Sequence, residues 1–264
     1  MLMAIPIMAH LVLGYPTLEQ SIRTAETYIE AGCAILELQI PFSHPTADGS
    51  VITRACRVAV EEQHVQVSDC FAAIQTLRLR YPEQEMMVMT YLNRMYAYGV
   101  KPFYEALQAL RIRHLIVPDL PVRPQLEGPL RELEATALST GVKLVPVLAA
   151  NVSVARLEQL LAAGFDCFYL MSDFKITGSR FSLHPRLTDI TRYIRQRQPD
   201  ARVGIGFGIQ SPEQVQAVLE VADCAIIGSA LIEAQEAGNL VNYLHTVLKP
   251  LNGHKAPSLG GMPW

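Results

Sequence analysis

One phrase recurs along this chain and restricts its fold more than any other feature: a helix ends at a glycine and an apolar strand begins. Ile22, Ala25 and Ile29 recur at helical spacing, Gly32 sits where a left-handed helix stop belongs, and Ala34-Ile35-Leu36-Glu37-Leu38 follows as a strand. The phrase returns at Ser139-Thr140-Gly141 before Val142 to Leu148, and at Ala162-Ala163-Gly164 before Asp166 to Met171. Short helix-to-strand connections of this kind belong to parallel sheets. The first run, Pro6 to Leu13, is apolar almost throughout and stops at Gly14-Tyr15-Pro16, as befits a strand buried on both faces. Thr17, with Gln20 three residues on, is a capping-box signature for the helix that follows. Further strands read at Met86 to Tyr91, His114 to Val117, Arg202 to Gly206 and Cys224 to Ile227. Eight strands alternating with helices over about 250 residues predict an α/β fold, a single (β/α)8 barrel spanning 1–250. The tail 251–264 has no periodicity and is expected to be mobile.

Composition closes off other classes. Half of the 264 residues are hydrophobic, which supports a large core and excludes a disordered chain. A net charge of −3 supplies no basic field for nucleic acid. No apolar run reaches the ~18 residues of a membrane span. The apolar start lacks the basic flank of a signal peptide, so a cytoplasmic protein with no membrane partner is expected. Cys33, Cys56, Cys70, Cys167 and Cys224 are odd in number and widely spaced, with no CxxC among them. They are expected to be buried small hydrophobes rather than a zinc site or a disulfide framework, and no metal is expected.

In a barrel of this kind, chemistry sits in the loops that follow the strands. Glu37 stands near the end of the second strand, inside an apolar run, and shares a face with Ile35 by period-2 counting. A carboxyl in a buried strand has to be paired, protonated or functional, because an unpaired buried charge costs several kcal/mol. Facing the barrel mouth it would suit a general acid or base; otherwise it is a structural carboxylate held by a backbone amide. Asp48 lies eleven positions later, in the same strand-to-helix loop, and alone reads first as the N-cap of the next helix.

Glycines gather after the last three strands: Thr177-Gly178-Ser179, Gly206-Phe207-Gly208, and Gly228-Ser229-Ala230 opening a short helix. Ser211-Pro212-Glu213 starts a helix well. The spacing is not that of a dinucleotide fingerprint. Loops after strands seven and eight, with the N-terminus of a short helix, are the usual phosphate site of this fold, although such glycines also serve simply to make tight turns.

The run Glu37-Leu38-Gln39-Ile40-Pro41-Phe42-Ser43-His44-Pro45-Thr46-Ala47-Asp48-Gly49 resembles the tryptophan synthase α subunit family, a family of TIM barrels. Met89-Thr90-Tyr91-Leu92-Asn93, Pro118-Asp119-Leu120-Pro121, Thr177-Gly178, Gly206-Phe207-Gly208-Ile209 and Gly228-Ser229-Ala230 support the resemblance in the same order. It implies a lyase that cleaves indole-3-glycerol phosphate to indole and glyceraldehyde 3-phosphate. It also implies no cofactor in this chain and a PLP-dependent β subunit as partner, in an α2β2 assembly.

By the same resemblance, Glu37 matches the catalytic acid/base and Asp48 the carboxylate that holds the indole N–H. Tyr169 matches a tyrosine at the site, and Tyr91 one lining the indole pocket. Gly178, Gly208, Gly228 and Ser229 match the phosphate-binding positions. His10 stands where that pocket often has an aromatic such as Phe. Thr177 belongs to the loop that closes over the site.

The chain departs from the family pattern at Gln39 (usually Gly), His44 (usually Asp) and Ser50 (usually Pro), and in the loop Asp173-Phe174-Lys175-Ile176-Thr177-Gly178. That loop is expected to be mobile around Phe174 to Thr177, to close less readily, and to leave the isolated chain weakly active. A free-standing lyase, or a non-catalytic barrel that binds a phosphorylated ligand or modulates a β-type partner, are the alternatives.

Overall fold

Strand β1 (Ile5–Val12) is buried at all eight positions, the pattern of a parallel strand covered on both faces. It belongs to a computed structural model that describes residues 5–120, 129–172, 175–177, 180–206 and 208–248. The turn after β1 ends in the helix Leu18–Glu30, where Thr17 Oγ1 accepts from the Gln20 N–H at 3.2 Å. Gly32, with φ of 93°, stops that helix as the sequence indicated, and β2 (Cys33–Gln39) begins one residue later. Gly141 and Gly164 do the same for the helices Pro129–Thr140 and Val154–Ala162, with φ of 72° and 82°.

The remaining strands are β3 (Glu85–Met89), β4 (His114–Ile116), β5 (Lys143–Val145), β6 (Val147–Ala149), β7 (Cys167–Met171), β8 (Lys175–Thr177), β9 (Arg180–Ser182), β10 (Arg202–Gly206) and β11 (Cys224–Ile227). The expected fifth strand, Val142 to Leu148, is in fact two. Pro146 has no N–H to give to a ladder, so it separates β5 from β6. β5 pairs in parallel with β4, His114 opposite Lys143; β6 pairs in parallel with β7, Val147 opposite Tyr169. Counted as one interrupted run, β5 and β6 complete eight parallel strand positions alternating with helices, the (β/α)8 TIM-barrel class.

The chain falls into two compact units, one of Met1–His10, Thr27–Ile35 and Val147–Trp264, the other of Leu11–Glu26 and Leu36–Pro146. In the first, strands run in the order β6, β7, β10, β11, β1, with Ile7 opposite Ala225 and Gly204 opposite Tyr169. Its core includes Ile7, Phe168, Leu170, Val203, Ile205 and Ala225. In the second, β2, β3, β4 and β5 follow in sequence order, with Val88 opposite Leu115, over a core of Leu36, Leu38, Met86, Met87 and Leu115.

Two elements had no counterpart in the sequence reading. A π-helical turn, Val58–Glu62, extends the helix Ser50–Arg57 and delivers Val65 back to Ala59, whose carbonyl accepts from the Val65 N–H at 3.0 Å. Lys175–Thr177, within the loop expected to be mobile around Phe174 to Thr177, pairs antiparallel with Arg180–Ser182, Thr177 opposite Arg180. Phe174 and the tail 251–264 lie outside the described residues.

Candidate active site

The second unit places one carboxylate cluster at the end of β2. Of the readings open for Asp48, the geometry excludes helix capping. The following helix is capped by Gly49, with no side-chain cap, so Asp48 is not its N-cap. Its Oδ2 accepts instead from Gln39 Nε2 at 2.8 Å and from the Tyr91 hydroxyl at 2.9 Å. Tyr91 is 1% exposed, and its oxygen also accepts from the Ala47 N–H at 3.2 Å. Burial, reinforced by the Asp48 charge beside it, holds the Tyr91 hydroxyl well above the usual phenol range. It therefore stays protonated and keeps donating to Asp48. Phe42 covers this pair, its ring 5.5 Å from that of Tyr91 and 6.1 Å from that of His44.

Glu37 lies two residues before Gln39 on β2 and so shares its face of the strand. It is 1% exposed. Two buried polar side chains at i and i+2 of an otherwise apolar strand, with Asp48 bonded to the second, form a polar core at the strand end. Asp119 braces this cluster from outside: its two carboxylate oxygens accept from the Leu92 N–H at 3.1 and 3.3 Å, at the start of the helix Leu92–Tyr98 that Tyr91 caps. Burial raises the Asp119 carboxyl above the usual range.

The first unit holds the other predicted positions. Tyr169 sits on β7 opposite Gly204, and its hydroxyl runs past Gly206. A Cβ on Gly206 would stand 2.7 Å from that oxygen and 2.9 Å from the Ile226 Cβ, so only glycine fits under the ring. The Gly206 carbonyl accepts from the N–H and Oγ of Ser172, at 2.6 and 2.7 Å. Gly208 takes φ of 72°, open to glycine and costly for other residues. Gly228 is the N-cap of the helix Ser229–Glu236, without a side-chain cap, and both it and Ser229 are half-buried. His10 is buried within β1. Thr177 lies on β8; Gly178 lies outside the described residues.

Sequence reasoning singled out Glu37, Asp48 and Tyr91 but gave Gln39 and Asp119 no role. The signal for Gln39 was present in its period: it falls on the same face as Glu37. Among the described residues no group of three or more His, Cys, Asp or Glu could hold a metal ion, and no helix is long and apolar enough to cross a membrane.

The strand order and the bonded carboxylate at a strand's C-terminal end define a class, the (β/α)8-barrel enzymes. The family model of the tryptophan synthase alpha chain matches residues 5–252. The tryptophan synthase alpha chain of Chloroflexus aggregans is 34% identical over 232 residues, covering 88% of this chain and 84% of the relative. That of Lactiplantibacillus plantarum is 30% identical over 256 residues, covering 95% and 94%. Among solved structures, Mycobacterium tuberculosis tryptophan synthase superposes with a TM-score of 0.81 at 26% identity, covering 95% of this chain and 94% of that one. The chain belongs to the tryptophan synthase alpha chain family. Its function is that family's lyase half-reaction, cleavage of indole-3-glycerol phosphate in tryptophan biosynthesis.

Proposed function

We propose that Glu37 and Asp48 divide the work of this cleavage between them. Breaking the bond from indole C3 to the glycerol carbon requires C3 to gain a proton, which makes indole a leaving group. It also requires the glycerol hydroxyl to lose one, which forms the aldehyde. Glu37 is the group that moves these protons. Protonation at C3 leaves the ring an electron-poor indolenium, and Asp48 holds the ring N–H and stabilises that positive charge. Tyr91 and His10 belong to the indole pocket, Tyr169 to the reacting centre. Gly178, Gly208, Gly228 and Ser229 receive the phosphate, mainly through backbone amides, and Thr177 belongs to the closing loop.

The observation that carries the reading is the Asp48 carboxylate, turned from helix capping to a buried amide and a buried phenol at 2.8 and 2.9 Å. A loop aspartate committed to two buried donors is arranged for a site rather than for its own helix. In the family the PLP chemistry belongs to the β partner, and a β subunit is the partner expected here, in an α2β2 assembly that contact with the closed loop would activate. The antiparallel pairing of Lys175–Thr177 with Arg180–Ser182 supports one second reading, a free-standing lyase whose loop holds itself in order.

Indole release from indole-3-glycerol phosphate, measured with and without β subunit, tests both. Glu37→Gln should lower turnover by at least ~10²-fold while the thermal transition stays in place. A variant that releases indole near the parental rate removes Glu37 from the mechanism. If the lone parent chain turns over as fast as with saturating β subunit, the free-standing lyase is the better account.

A further inference from the structure

Gln39 closes β2 with a side chain that is fully buried. Its backbone is already committed, since its carbonyl accepts from the Leu13 N–H at 3.0 Å. Among the described residues the side chain makes one hydrogen bond, from Nε2 to Asp48 Oδ2. A carboxylate only accepts, so the amide must turn its NH2 to Asp48 and its carbonyl away. That carbonyl oxygen, Oε1, is buried and has no hydrogen-bond partner among the described residues.

A half-satisfied amide is a poor way to fill a core. Leucine or methionine would occupy the same volume and bury no unpaired acceptor. The amide is therefore not explained by packing; its one satisfied bond explains it. That bond and the one from Tyr91 converge on the same oxygen of Asp48, from β2 on one side and from the end of β3 on the other. Two donors on one oxygen fix the plane of the carboxylate and so the direction of its second oxygen.

We infer that Gln39 is a positioning residue for the lyase reaction, one that orients the Asp48 carboxylate toward the ring N–H of the substrate. The inference rests on the role given above to Asp48. Gln39 itself does not touch the reacting atoms. It acts through Asp48, at the stage where positive charge develops on the ring, so its loss should fall on kcat more than on KM.

The test is steady-state cleavage by Gln39→Leu, Asp48→Asn and the double variant, each folded by its thermal transition. Two substrates are compared: indole-3-glycerol phosphate and the analogue methylated at the ring nitrogen. Gln39→Leu should lower kcat for the N–H substrate by ~10-fold or more, the loss of a hydrogen bond to a charged group. It should lower kcat for the N-methyl analogue by a smaller factor, because Asp48 still faces the ring charge there but no N–H, and add nothing in the Asp48→Asn background. Gln39→Met, apolar and closer in length, should repeat the loss, and it stands in if the leucine variant does not fold. An equal loss with both substrates, or a further loss in the Asp48→Asn background, would mean that Gln39 is a packing residue and overturn the inference. If Asp48→Asn loses turnover and Gln39→Leu does not, the inference alone fails. If Asp48→Asn keeps full turnover, the role of Asp48 fails and the inference falls with it.

Discussion

At the scale of single residues, this molecule uses absence of a side chain as carefully as presence of one. Gly206 is the plainest case, because Tyr169 occupies the space its Cβ would need. Gly206→Ala should push the Tyr169 ring or strand β11 aside and cost about 1–3 kcal/mol, as overpacked cores do. A urea titration measures the loss, and the tyrosine's displacement should lower indole release beyond what stability explains. A variant as stable and active as the parent would show that the ring does not depend on that gap. Glu37 and Asp48 were visible in the sequence because a carboxyl in an apolar run, and another soon after it, are chemically conspicuous. The role of Gln39 was not, because its period places it on the face of Glu37 but an amide near a strand end is ordinary until its partner is known. The Tyr91 hydroxyl was not, because its bond to Asp48 spans forty-three positions that only the fold brings together.

Among the elements, eight strand positions were legible because their apolar runs and helix-ending glycines repeat with little variation. The exceptions each have a local cause. Pro146 breaks a run that hydrophobicity alone shows as continuous. The π-turn Val58–Glu62 leaves no mark on a helical period, since one extra residue in a turn shifts the pattern without erasing it. That turn has a distant requirement. Val65, which it returns to Ala59, lies so close to Gly14 that a Cβ there would meet the valine Cγ2 at 2.6 Å, and Gly14 also takes φ of 90°. Helix starts were better marked. Ser211 Oγ accepts from the Gln214 N–H at 3.4 Å, while Gln214 Oε1 accepts from the Ser211 N–H at 3.1 Å, the reciprocal pair of a capping box. Ser211→Ala should therefore cost ~1 kcal/mol, read as a lower urea midpoint with an unchanged slope. An unchanged midpoint would mean that Pro212 at the first helical turn is enough to start this helix.

Over the whole molecule, all five cysteines are free and buried, as their spacing and apolar settings indicated. Burial pushes the thiols of Cys33, Cys56 and Cys70 from 9.0 up to about 12, and that of Cys224 well above its usual value. A folded-state pKa raised in this way leaves stability intact below pH 9, where neither state ionises. Between pH 9 and 12 the unfolded chain releases these protons first, so stability falls as pH rises. Urea midpoints measured across that window should decline steadily, and a flat profile would contradict the burial of the thiols. At pH 8 a disulfide reagent should find almost no reactive thiol in the folded chain and five in denaturant. Such silence makes the chain a ready background for spectroscopy. A cysteine placed at Leu79, which is 77% exposed, would be the one group to take up a fluorophore or a spin label, and no native thiol would first have to be removed.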